Sequence, residues 1–128
     1  MSKHVLLIED EPNIIEAISF ILSREGLKVE THSDGTTANA RLRGARPDLV
    51  ILDVMLPGKS GYDILRDLRA EAGLADLPVL MLTARGQTRD REMAERAGVS
   101  AFMTKPFSNS EMLDTVRALM DGALNGDA

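Results

Sequence analysis

Cysteine is missing altogether from the 128 residues, which excludes disulfides, thiolate metal ligands and a cysteine nucleophile. Long hydrophobic runs are missing too: Met1-Ser2-Lys3-His4 leads into an apolar stretch too short for a signal sequence or a membrane span. Positive charge is in deficit, with 15 Lys and Arg against 20 Asp and Glu and a net charge of −5. Nucleic-acid phosphates are therefore repelled on average, and direct DNA or RNA binding is not expected. No internal repeat or low-complexity segment interrupts the chain. A reducing cytoplasm is the address that these absences suggest.

The remaining composition, 44% hydrophobic and 27% charged, is that of a chain able to bury a core. Its length suits one domain and leaves no room for a second. We expect residues 1–121 to form that domain and 122–128, small and polar, to be a short flexible tail, with no output domain.

Three runs, Val5-Leu6-Leu7-Ile8, Leu49-Val50-Ile51-Leu52 and Val79-Leu80-Met81-Leu82, are apolar without alternation, as strands buried on both faces require. Leu27 to Thr31 and Ser100 to Met103 are weaker and suit the edges of the same sheet. Between them, helical spacing predicts segments over Pro12 to Arg24, Thr37 to Leu42, Tyr62 to Ala72 with Gly73 as cap, and Arg89 to Ala97. A fifth begins at the capping-box pattern Ser108-Asn109-Ser110-Glu111. Five alternations of strand and helix imply a parallel sheet with helices on both faces, because each parallel pairing needs a crossover.

In such a sheet ligands bind beyond the carboxyl ends of the strands. The residues found there are Glu9-Asp10-Glu11, Asp53, Thr83-Ala84 and Thr104-Lys105-Pro106. Two unit charges about 4 Å apart repel by roughly 4 kcal/mol at an effective dielectric of about 20, so the acids need a positive partner. A hard divalent cation with oxygen ligands answers that need, and Lys105 can neutralise a further charge. Any one of these residues alone reads as a helix cap, a turn former or a surface lysine. Their joint placement after the central strands is what points to acyl-phosphate chemistry.

Glu9-Asp10, the run Asp53-Val54-Met55-Leu56-Pro57-Gly58, Thr83, and Lys105-Pro106 with Phe102 three residues earlier together resemble the signature of two-component response-regulator receiver domains, over nearly the whole chain. The resemblance implies a flavodoxin-like (βα)5 doubly wound sandwich with strand order 2-1-3-4-5. It implies Asp53 as phosphoacceptor, and Glu9, Asp10, Asp53 and the Met55 carbonyl as ligands of magnesium or manganese. Thr83, the Ala84 backbone N–H and Lys105 are then the groups for the phosphate oxygens, Thr83 and Phe102 the switch pair, and Lys105-Pro106 a cis peptide. A sensor histidine kinase or a histidine phosphotransfer protein is the implied donor. A downstream effector protein would read the surface formed by the fourth helix, fifth strand and fifth helix. The chain would not be an enzyme beyond catalysing its own phosphorylation and slow dephosphorylation.

Some positions depart from the common pattern. Met55, and Arg85 two residues after Thr83, are poorly suited to orienting an attacking water, so a long-lived phosphoaspartate is expected. Ser100-Ala101 stands where many relatives carry an acidic pair used in dimer contacts; Arg91 and Glu111 remain, and a monomer or a weak phosphorylation-dependent dimer is expected. Two alternatives differ in class. An aspartyl-phosphate hydrolase of the haloacid-dehalogenase type would carry a second acid two residues after its nucleophile, where Met55 stands. An unphosphorylated receiver-like interaction module would not need the full residue set. The Gly58-Lys59-Ser60 run lacks the first glycine of a phosphate-binding loop, since Asp53 holds that place.

Overall fold

The computed structural model describes residues 3–84 and 86–121; Arg85 and the expected tail 122–128 lie outside the described residues. The three unalternating runs become the middle of the sheet: β1 (His4–Ile8), β3 (Leu49–Asp53) and β4 (Val79–Thr83). β2 (Lys28–His32) and β5 (Ala101–Thr104) flank them, in the order β2-β1-β3-β4-β5 with every pairing parallel. Five helices alternate with the strands: α1 (Pro12–Ser23), α2 (Ala38–Ala45), α3 (Gly61–Arg69), α4 (Thr88–Ala97) and α5 (Asn109–Met120). This is the flavodoxin-like arrangement.

Successive strand residues point to opposite faces, so the sheet divides the interior into two cores. Leu6, Ile8, Val50, Leu52 and Met81 pack with α2, α3 and α4. Val5, Leu7, Ile51, Leu80 and Leu82 pack with Ile18 and Leu22 of α1 and with Met112, Val116 and Leu119 of α5. Each fully buried Leu or Ile is worth about 1.5–3 kcal/mol, which makes this double layer the main source of stability.

Two helix boundaries differ from the sequence pattern by more than one residue. α2 runs on to Ala45 because exposed Gly44 is tolerated inside it, and the chain turns only at Arg46, whose φ is 44°. α3 ends at Arg69 and not at Ala72: Ala70 is its cap, and Gly73 lies in a later turn that lets Leu74 bury to 5% exposure. At α5 the Ser108 hydroxyl accepts from Glu111 N at 3.0 Å, as the capping pattern predicts.

Candidate functional site

Parallel register brings the carboxyl ends of all five strands to one rim. Ile8 is level with His32 and Leu52, Asp53 with Leu82, and Thr83 with Thr104. Among the described residues, the polar and charged side chains that are buried are Glu9 at 0%, Asp53 at 2% and Thr83 at 3% exposure. All three stand at this rim. Burying such groups is unfavourable unless partners meet them, so their concentration marks the place where the fold gives up stability.

Asp53 ends β3, and α3 begins close against that strand end. Gly61 permits this, since a Cβ there would sit 2.3 Å from the Asp53 carbonyl oxygen, while Gly61 N donates to Val54 O at 2.9 Å. Met55 N points back to Asp53 Oδ1 at 3.4 Å, and the Met55 side chain is exposed. Lys105 follows β5 through a cis bond to Pro106, and its N–H donates to Thr83 O at 2.7 Å. Its Nζ lies 2.9 Å from Glu9 Oε1, 2.9 Å from Glu11 Oε1 and 3.5 Å from Asp53 Oδ1. Ala84 sits exposed beside Thr83.

The electrostatics of the rim are strained. Burial, and then the neighbouring Glu9, push the Asp53 carboxyl up to about 7, against the opposing pull of Lys105 and the Met55 N–H. Burial works against the Lys105 ammonium, but its contacts with Glu9 and Glu11 and the charge of Asp53 outweigh that and raise its pKa. Glu9 Oε2 accepts from Asp10 N at 3.1 Å and Glu11 N at 3.2 Å, whereas among the described residues its buried Oε1 is met by the Lys105 ammonium at 2.9 Å without a well-aligned hydrogen bond. Glu9, Asp10 and Asp53 each offer a carboxylate oxygen within 4.8 Å of the others. An all-oxygen set with an exposed member and an incompletely satisfied buried one fits a hard divalent cation that retains part of its water.

Phe102 is half-buried against the α2–α4 core, and the Arg91 guanidinium stacks 5.0 Å from its ring centroid. Ser100 is engaged internally, accepting from Val79 N at 3.0 Å. The sequence pattern puts Glu11 at the rim without a role and leaves Gly61 unmarked. Three consecutive acids at the end of one strand are the available signal for Glu11; nothing in the sequence announces the close approach at Gly61.

A description of the response regulator receiver domain matches residues 5–117, so the chain belongs to that family. It is the receiver domain of a two-component response regulator, a class of signalling proteins and not enzymes in the usual sense. Over 120 residues it is 38% identical to the phosphate regulon transcriptional regulatory protein PhoB of Escherichia coli, an alignment covering 94% of this chain and 52% of that protein. The chain spans about half the length of the curated relatives it matches. Among solved structures, the signal receiver domain of a histidine kinase from Syntrophus aciditrophicus superposes with a TM-score of 0.87 at 32% identity, covering 94% of this chain and 92% of that one. The receiver domain of a sensor histidine kinase from Pseudomonas aeruginosa does so with a TM-score of 0.87 at 29% identity, covering 94% and 99%; a magnesium ion is coordinated in its active-site cleft. Among the described residues of this chain, no helix is long and apolar enough to cross a membrane.

Proposed function

We propose that this receiver is a phosphoacceptor switch in which Asp53 takes a phosphoryl group from a phosphohistidine of a sensor kinase or histidine phosphotransfer protein. The observation that carries the reading is the meeting of Asp53 with Lys105 at 3.5 Å inside a cluster of three carboxylates whose oxygens lie within 4.8 Å. A carboxylate oxygen of Asp53 forms a bond to phosphorus while the P–N bond of the donor breaks, and the leaving imidazole nitrogen keeps the electron pair and takes up a proton. Such a transfer asks mainly for alignment and for charge at the equatorial oxygens, so no dedicated base is needed.

Lys105 is placed to pair with one of those oxygens, and Thr83 with the Ala84 N–H to receive others. Glu9, Asp10, Asp53 and the Met55 carbonyl would hold magnesium or manganese. When bound, the cation supplies positive charge against the carboxylates and the transferred group. The raised pKa of Asp53, about 7 without a cation, supports the need for one. The added phosphate draws Thr83 toward it, and Phe102, on the neighbouring strand under Arg91, turns inward to alter the α4-β5-α5 surface that an effector protein reads. The protein acts in the cytoplasm, the compartment that suits a cysteine-free partner of sensor kinases. Met55 at the mouth favours slow loss of the phosphoryl group.

Incubation with acetyl phosphate and magnesium, followed by intact mass, tests the assignment. A gain of one phosphoryl group is expected for the native chain and none for Asp53→Asn. A gain that persists in the variant would mean another acceptor.

A further inference from the structure

Lys105 is shared by three carboxylates that differ in their freedom to leave. Glu9 is fully buried and pinned by the backbone N–H groups of Asp10 and Glu11. Asp53 is 2% exposed and fixed at the end of β3. Glu11 differs: its side chain is 58% exposed, yet its Oε1 accepts a 2.9 Å hydrogen bond from an ammonium whose own side chain is only 10% exposed. Glu9 and Asp53 are buried and Glu11 is exposed, so Glu11 is the carboxylate on the solvent side of Lys105, the side from which an oxyanion arrives. Withdrawing an exposed carboxylate into solvent costs little, whereas moving Glu9 would break two buried backbone hydrogen bonds.

We propose that Glu11 is a displaceable anionic gate over Lys105, a positioning residue that holds the ammonium until a phosphoryl oxygen replaces it and that disfavours small free phosphodonors by its charge. The proposal rests on the phosphoacceptor reading above and deepens it. With acetyl phosphate as donor, Asp53 forms its bond to phosphorus as the P–O bond breaks and acetate departs with the electron pair. A dianion nearing the rim meets the Glu11 charge before it meets Lys105, so the gate acts on the approach of the donor more than on the transfer.

The test is the rate of Asp53 phosphorylation by acetyl phosphate in magnesium, followed by intact mass in the native chain, Glu11→Gln, Glu11→Asp and Glu25→Gln. Glu25 pairs with Arg117 between α1 and α5 and serves as a control of equal charge change. Loss of a single rim charge at Glu11→Gln is expected to raise kcat/KM by roughly three- to tenfold, chiefly through a lower KM, and the gain shrinks as salt rises. Glu11→Asp, which keeps the charge, stays near the native rate, and Glu25→Gln does not move. An unchanged or slower Glu11→Gln in a preparation whose native chain is phosphorylated overturns the gate alone. A native chain that takes up no phosphoryl group overturns the gate and the acceptor reading together.

Discussion

Two half-buried cations stand at opposite ends of the sheet, and they are held in opposite ways. Lys105, at the carboxyl end, is surrounded by the charges of Glu9, Glu11 and Asp53. Arg69, at the amino end, gives its hydrogen bonds to neutral groups, with the Asp76 charge near enough to favour the guanidinium but not bonded to it in the contacts that follow. It donates to Gly98 O at 2.8 Å, Ala75 O at 3.0 Å, Leu77 O at 2.7 Å and Ser100 Oγ at 3.3 Å. Even the cap of α4 is shaped around it, since Gly98 has φ +95° and a Cβ there would come 2.9 Å from Arg69 Cγ. Backbone carbonyls cannot leave, so the Arg69 end is a permanent staple between α3, α4 and the start of β4. Carboxylates can be displaced by another anion, so the Lys105 end is built for exchange. The fold keeps local satisfaction where nothing has to happen and relaxes it where chemistry is expected.

The strongest way to expose that difference is pH in buffer free of divalent cations. Unfolded Asp53 ionises near 3.8 and the folded group near 7. Between those values the folded chain binds more protons than the unfolded one, so this group's contribution to stability falls as pH rises through the window and stays low above it. The loss is on the order of a few kcal/mol. Urea unfolding at about pH 5 and about pH 8 measures it. Asp53→Asn is expected to flatten the slope and to be the more stable protein at the higher pH, since Lys105 keeps Glu9 and Glu11 as partners. Equal pH profiles for the two proteins would remove the contrast between the ends.

The opposite end is tested by Arg69→Met, which keeps the apolar stem and loses the fork. Four acceptors lose their donor, and a destabilisation of about 2–3 kcal/mol is expected in urea unfolding. The rate of Asp53 phosphorylation in the folded variant stays native. A rate loss as large as the stability loss would show that the two ends communicate.

The sheet and the rim were legible in the sequence for one reason: four-residue apolar runs without alternation fit only strands covered on both faces, and the residues following them must then share an edge. Asp53, Glu9, Asp10 and Thr83 fall out of that reading directly, and Lys105 follows from the weaker edge segment Ser100 to Met103. The end of α3 was not legible, because Ala70 to Ala72 are no obstacle to a helix. The chain leaves it where Arg69 caps two later carbonyls and Leu74 turns inward. Nor was the contact of Glu11 with Lys105, which spans 94 positions of sequence. Local pattern carries no information on which of three adjacent acids will reach across.

If the rim is weakened by its charges, something local must hold the helices that start there, and two serines do so. Ser60 accepts from Asp63 N at 3.3 Å to begin α3, and Ser108 accepts from Glu111 N at 3.0 Å to begin α5. Each replacement by alanine is expected to cost about 1 kcal/mol. α3 and α5 pack on opposite faces of the sheet and their buried side chains belong to different cores, so the double variant is expected to lose the sum of the two to within about 0.5 kcal/mol. Both serine hydroxyls are engaged by backbone N–H groups of their own helices, and phosphorylation of the folded variants is expected to run at the native rate. Urea midpoints of the two single variants and the double variant measure this. A double variant much weaker than the sum would mean that the caps and the charged cluster form one cooperative unit, and that the rim is less separable from its chemistry than the Arg69 end is.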